Sequence, residues 1–165
     1  VLRRAKMDVL CAMIRPDQQR IPQLKDVYVA RNVVYRYLKR TPLIYSRQLS
    51  KLLGCEAHLK LENLQPTRAF KVRGGVRYME RMKGEAVKRG VITASTGNHA
   101  QSIAYAGSLF GADVRIVMPH GVPQLKTEAI IDLGADVITH GNFYEEAREF
   151  AEHLATRRDT FTSTQ

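Results

Sequence analysis

The tetrapeptide Gly-Ala-Asp-Val occurs twice, at residues 111–114 and 134–137, each time where a helical pattern ends and an apolar run begins. A glycine at that place ends a helix with a left-handed turn. The repeat therefore marks successive βα units, although two copies are too few for a solenoid. The flanking patterns agree. Val91–Ala94, Val114–Met118 and Val137–Thr139 read as strands, and Pro119 stops the second. His99–Phe110 reads as a helix with Ala100, Ile103, Ala104 and Gly107 on one face. Pro123–Leu133 reads as a helix with Leu125, Ala129 and Ile130 inward, and Phe143–Leu154 as one with Phe143, Ala147, Phe150, Ala151 and Leu154 in register. Alternating strands and helices imply an α/β fold: a parallel sheet flanked by helices in three layers, with right-handed crossovers. In such a sheet ligands belong at the C-terminal ends of the strands.

Upstream, Leu24–Leu38 carries a helical stripe of Val27, Ala30, Val34 and Leu38, halted before Pro42. Ser46 is placed to cap a short helix that runs through Leu53 and ends at Gly54. Glu56–Leu61 reads as a strand, Lys71–Met82 as a helix with Val72, Val76 and Met79 on one side, and Thr160–Thr164 as one more strand.

Two segments carry chemistry. Ala69-Phe70-Lys71-Val72-Arg73-Gly74-Gly75 follows the apolar His58–Leu61 and a turn at Pro66, which puts Lys71 at a helix start. The positive end of a helix favours a neutral amine over an ammonium, and imine chemistry uses the neutral amine. The plain alternative is a surface lysine opening a helix. Ser95-Thr96-Gly97-Asn98-His99-Ala100-Gln101 follows the strand Val91–Ala94 and opens the next helix. Its hydroxyls, its amide and the free N–H groups of the helix start suit a carboxylate or phosphate. The plain alternative is an ordinary helix cap.

Composition excludes several classes. The formal net charge is +10, and residues 1–40 carry most of it, with ten Lys/Arg against three Asp/Glu. No nucleic-acid motif accompanies that basic arm, so no nucleic-acid partner is expected. No apolar run approaches the ~18 residues a membrane span requires, and the N-terminus lacks the apolar region and cleavage site of a secretory signal. Met7 is a candidate start. Cys11 and Cys55 form neither a metal-type spacing nor a redox pair, which fits a reduced, cytoplasmic setting. The five histidines are scattered, and no metal is expected.

From about Val27 to about Leu154 the chain resembles the serine/threonine dehydratase and serine racemase family, pyridoxal 5'-phosphate (PLP) enzymes of the tryptophan-synthase-β fold type (fold type II). The resemblance is carried by Arg40-Thr41-Pro42-Leu43, Leu59-Lys60-Leu61-Glu62-Asn63-Leu64-Gln65-Pro66, the lysine motif and the Ser-Thr-Gly-Asn-His loop, in the family's order. It implies that Lys71 is the catalytic lysine joined to the cofactor, that Phe70 lies against the cofactor ring, and that Asn98 bonds the ring's phenolic oxygen. It also implies that Ser95, Thr96, Gly97, Asn98 and His99 hold the substrate carboxylate.

The implied reaction is dehydration and deamination of L-threonine or L-serine to a 2-oxo acid and ammonia, in a homo-oligomer (a dimer or tetramer). Racemisation is the rival, because Thr96 keeps a hydroxyl before the loop glycine. The resemblance covers only the first half of the family's fold. Residues 1–89 correspond to part of the large cofactor domain and 90–165 to the small βα domain, while the glycine-rich phosphate loop and the partner of the pyridine nitrogen have no counterpart here. The chain alone is therefore expected to be an inactive fragment, or one that acts by association.

Overall fold

The structure is a computed structural model that describes residues 8–9 and 21–156. Most of the basic arm, with Met7 and Cys11, and the strand expected over Thr160–Thr164 lie outside the described residues. After Gly90 the chain builds three βα units in succession. They are β4 (Val91–Ala94), α4 (Asn98–Phe110), β5 (Val114–Met118), α5 (Gln124–Ile131), β6 (Asp136–Thr139) and α6 (Tyr144–Thr156). Ahead of them come β1 (Asp8–Val9), α1 (Leu24–Tyr37), β2 (Leu43–Tyr45), α2 (Arg47–Leu53), β3 (His58–Lys60) and α3 (Val72–Arg89).

The main sheet has the order β1-β4-β5-β6, and every neighbouring pair is parallel. Parallel strands are covered on both faces, and the burial follows. Val91, Val114, Ile116 and Met118 face one core with α3, α4 and Ile130 of α5. Ile92, Ala94 and Val117 face a second core against Ala147 and Ala151 of α6, which also packs on β1. Three layers result, as the sequence implied. Gly111 ends α4 at φ 69°, and Gly134, which leads into β6, lies at φ 86°.

β2 and β3 form a separate antiparallel hairpin, in register Leu43↔Lys60 and Tyr45↔His58. It encloses α2, where Ser46 Oγ accepts the Leu49 N–H at 3.3 Å and Gly54 closes the helix at φ 69°.

Some expectations need correction. α3 continues to Arg89, seven residues past Met82, because Lys83–Arg89 contains no residue that breaks a helix more strongly than Gly84. Leu125 and Phe143, expected inward, are 79% and 68% exposed. The side of α5 that meets the sheet is carried by Ile130, and α6 begins one residue after Phe143. Val27 is likewise exposed, so the buried stripe of α1 reduces to Val33, Val34 and Leu38 at its C-terminal end. Neither β1 nor β2 was foreseen. No helix among the described residues is long and apolar enough to cross a membrane, and among them no group of three His, Cys, Asp or Glu is placed to hold a metal ion.

Thr93 of β4 is buried, and its Oγ1 has no hydrogen-bond partner among the described residues. An unmet buried hydroxyl costs about 1–3 kcal/mol. Thr93→Val keeps the shape and removes the hydroxyl, so it should stabilise the fold by about 1 kcal/mol. Urea unfolding measures this, and a loss of stability would show that the hydroxyl is bonded.

Candidate active site

The segment before α3 is a run of turns whose burial alternates residue by residue. Gln65, Thr67 and Ala69 are buried, while Pro66, Arg68 and Phe70 point out. Gln65 Nε2 donates to Lys39 O at 3.3 Å and anchors the inner side. Arg68 takes φ 53°, a left-handed conformation that costs a residue with a side chain about 1–2 kcal/mol. The alternation delivers Phe70 to the surface, 64% exposed, immediately before the exposed Lys71, which is the N-cap of α3.

An ion pair braces this delivery. Arg73 donates from Nε to Glu62 Oε2 at 2.7 Å and from Nη2 to Oε1 at 2.8 Å, a bidentate fork. Thr41 Oγ1 donates to the same Oε1 at 2.5 Å, and Lys60 Nζ donates to Thr41 O at 2.5 Å. The Arg73 hydrogen bonds, helped by Thr41 and the nearby cations, hold the Glu62 carboxyl down at about 2 against the opposing effect of burial. Arg73 and Arg40 also lie over the ring of Tyr35, at 5.5 and 4.8 Å from its centroid. The fork thus ties the end of the β3 segment to the first turn of α3, two residues beyond Lys71.

The other side of the site is the β4–α4 junction, at the C-terminal end of a sheet strand. Ser95 is buried, and its Oγ accepts the N–H groups of Ala100 at 3.1 Å and Gly97 at 3.4 Å. These bonds settle two of the donors at the helix start. The N–H groups of Asn98 and His99 sit in the first turn, where a helix offers no internal acceptor. Asn98 is exposed, Thr96 and His99 are half-buried, and nothing lies within 4 Å of where a side chain on Gly97 would begin. Burial and the charge of Lys71 together push the His99 imidazole below its usual range.

The two sides meet through the packing of α3 on α4. Ser102 of α4 donates from Oγ to Lys71 O at 2.7 Å, and Val72, Val76 and Met79 are buried against Ala100, Ile103 and Ala104. Lys71, Phe70 and the Ser95–His99 loop therefore converge, with Ser95 turned inward as the loop's internal tie. Sequence reading missed the Glu62–Arg73 fork and the Ser102–Lys71 bond. Both Glu62 and Arg73 stand in the motifs quoted above, and a glycine pair inside a helix, Gly74-Gly75, is a sign of a close crossing.

The arrangement suits a carbonyl compound and an anionic group held together. It offers an amine, an apolar ring left open to solvent beside that amine, an exposed carboxamide, and two free N–H groups at a helix start. The sequence matches the family described as pyridoxal-phosphate dependent enzyme over residues 34–165. The L-threonine ammonia-lyase of Thermotoga maritima is 44% identical over 128 residues, 78% of this chain and 32% of that enzyme. The processed form of threonine deaminase isoform 2 from Solanum lycopersicum superposes with a TM-score of 0.71 at 34% identity, over 81% of this chain and 40% of that one. Maize serine racemase superposes with a TM-score of 0.76 at 28% identity, over 82% and 41%. The chain thus spans between a third and two fifths of the length of these relatives.

Two titrations follow. Glu62 binds its proton less readily when folded than at the ordinary value of 4.5. Its stabilising contribution is complete above that value and is lost as pH falls towards 2. Between about pH 5 and pH 2.5 this group should cost the fold about 2–3 kcal/mol, and Glu62→Gln should flatten that part of the urea-unfolding profile. His99 should titrate below 6.5 by NMR, and Lys71→Ala should move its midpoint upward by removing the neighbouring charge.

Proposed function

Because the chain belongs to the pyridoxal-phosphate-dependent enzyme family, we propose that it supplies one wall of an active site for a PLP-dependent ammonia-lyase. That site removes water from L-threonine or L-serine and releases a 2-oxo acid and ammonia. The observation that carries the reading is the convergence of Lys71 and the exposed Phe70 with the free N–H groups that open α4. The threonine ammonia-lyases among the relatives support the substrate class.

In this reading Lys71, Phe70 and Asn98 would hold PLP: Lys71 Nζ would bond its aldehyde carbon, Phe70 would lie against its ring, and the Asn98 carboxamide would donate to its ring oxygen. When bound, PLP accepts the electron pair left at the substrate's α-carbon. The N–H groups of Asn98 and His99 and the Thr96 hydroxyl hold the substrate carboxylate, aided by the positive end of α4. Ser95 contributes indirectly, by bonding the loop's inner donors and leaving the outer ones for ligand. As a free amine, Lys71 Nζ would take the proton from the substrate α-carbon. The substrate β-hydroxyl would leave as water with the proton that Lys71 took, and the enamine left behind would tautomerise to an imine that one water converts to the oxo acid and ammonia. The neutral state favoured for His99 keeps a second cation away from that amine.

Racemisation of the same substrates is the second reading. It rests on Thr96, a half-buried residue whose hydroxyl would have to carry a proton on the side of the substrate away from Lys71. In the whole protein, residues 1–89 would belong to a larger cofactor domain and 90–165 to a small βα domain. The remaining length of the relatives would supply the phosphate anchor.

The test is production of 2-oxobutanoate from L-threonine by the whole protein that carries this chain, with chiral analysis of recovered substrate. Wild type should form the oxo acid, and Lys71→Ala should lose at least about a hundredfold in turnover. Equal turnover by Lys71→Ala would overturn the assignment. Inverted substrate without oxo acid would select racemisation.

A further inference from the structure

We propose that Ser102 is a positioning residue for Lys71: through its hydroxyl, α4 fixes the cofactor lysine at a set distance from its own ligand-binding start. The inference rests on the reading of Lys71 given above. Ser102 is 1% exposed, and its Oγ donates to Lys71 O at 2.7 Å, across 31 residues of sequence. A serine inside a helix ordinarily turns its hydroxyl back to the carbonyl four residues earlier, which here would be Asn98. Ser102 bonds a different helix instead. Lys71 O already accepts the N–H groups of Gly74 at 3.0 Å and Gly75 at 3.2 Å. The Ser102 bond is thus not needed to start α3. What it adds is a link between Lys71 and α4.

The neighbouring glycine makes room for that link. A Cβ on Gly75 would collide with Ser102 Oγ, and would lie 2.6 Å from Ser102 O and 3.0 Å from its carbonyl carbon. A side chain at Gly75 would push the two backbones apart and stretch the hydrogen bond with them. The geometry along α4 gives the link its use. Asn98 and Ser102 are one turn apart, a rise of about 6 Å. One rigid turn therefore carries both the N–H groups that face the ligand carboxylate and the hydroxyl that holds the lysine's main chain. The side chain of Lys71 is long and flexible, so a fixed carbonyl narrows where its amine can reach. A displacement of about 1 Å in a reacting group can cost a hundredfold in rate.

The test uses the whole protein carrying this chain, with Ser102→Ala and Ser102→Cys, and with Ser108→Ala as a control on the exposed side of α4. Three quantities are read: melting temperature, kcat and KM for L-threonine, and the rate at which added PLP becomes fixed to Lys71, trapped with borohydride and located by peptide mass. A positioning role predicts that Ser102→Ala lowers kcat and the rate of attachment together, by about tenfold, with KM changed less than about twofold. Ser102→Cys, of similar size and a weaker donor, should fall between, and Ser108→Ala should match wild type. A lower melting temperature with unchanged kcat and attachment rate would show that Ser102 only packs, and would overturn the proposal. If Ser102→Ala does not fold, wild-type rates in Ser102→Cys would overturn it equally. Lys71→Ala separates the two claims: if that variant still turns over, the reading of Lys71 has failed, whereas an inactive Lys71→Ala beside a normal Ser102→Ala removes only the positioning role.

Discussion

Two helices can bring their main chains together only where small residues stand between them. α3 and α4 meet in this way, at Gly75 and Ser102, with Ala100 and Ala104 nearby. The contact is flanked by Val72, Val76 and Met79, which no water reaches. Burying each such side chain is worth about 1.5–3 kcal/mol, so the crossing is held firmly. The position of Lys71 relative to the Ser95–His99 loop follows from it. Lys71 opens one helix, the loop opens the other, and the crossing fixes their separation.

The Glu62–Arg73 fork acts on the same lysine from the other direction. It joins a hairpin segment to the first turn of α3 and leaves the intervening residues little freedom. The fork is only partly exposed, with both side chains near one fifth open to solvent. A bidentate pair in such a place gives orientation as well as energy. The left-handed Arg68 lies within the segment that the fork closes. Its conformational cost is met by the contacts on either side.

The βα half of the molecule was legible because its signals are local. The apolar runs of β4 and β5 became buried parallel strands, and glycines closed the helices where they were expected. Ser46 and Gly54 bounded α2 for the same reason. The errors arose where periodicity had to predict a partner. Leu125 and Phe143 fit a helical stripe, yet each stands at a helix start, beyond the reach of the sheet. Leu43–Tyr45 is exposed on both faces, so it shows no alternation, and its strand exists through pairing with His58–Lys60. At the site, Lys71 and the Ser95–His99 loop were legible as helix starts. The fork and the Ser102 bond link residues 11 and 31 positions apart, and such links are products of the fold.

The inward and outward alternation from Gln65 to Phe70 sets a rule for sequence change in this segment. Each outward position can accept many side chains, because solvent lies beyond it. The count of residues is another matter. Adding or removing one would disturb the turn in which the Arg68 N–H donates to Gln65 O at 2.8 Å, and with it the path from Glu62 to Arg73. Lys71 would then no longer meet α4 at the distance the fork and the Ser102 bond set. Pro66 to Phe70 can therefore drift in composition while staying fixed in length, so that an insertion or deletion there would be lethal to the site where a substitution would pass.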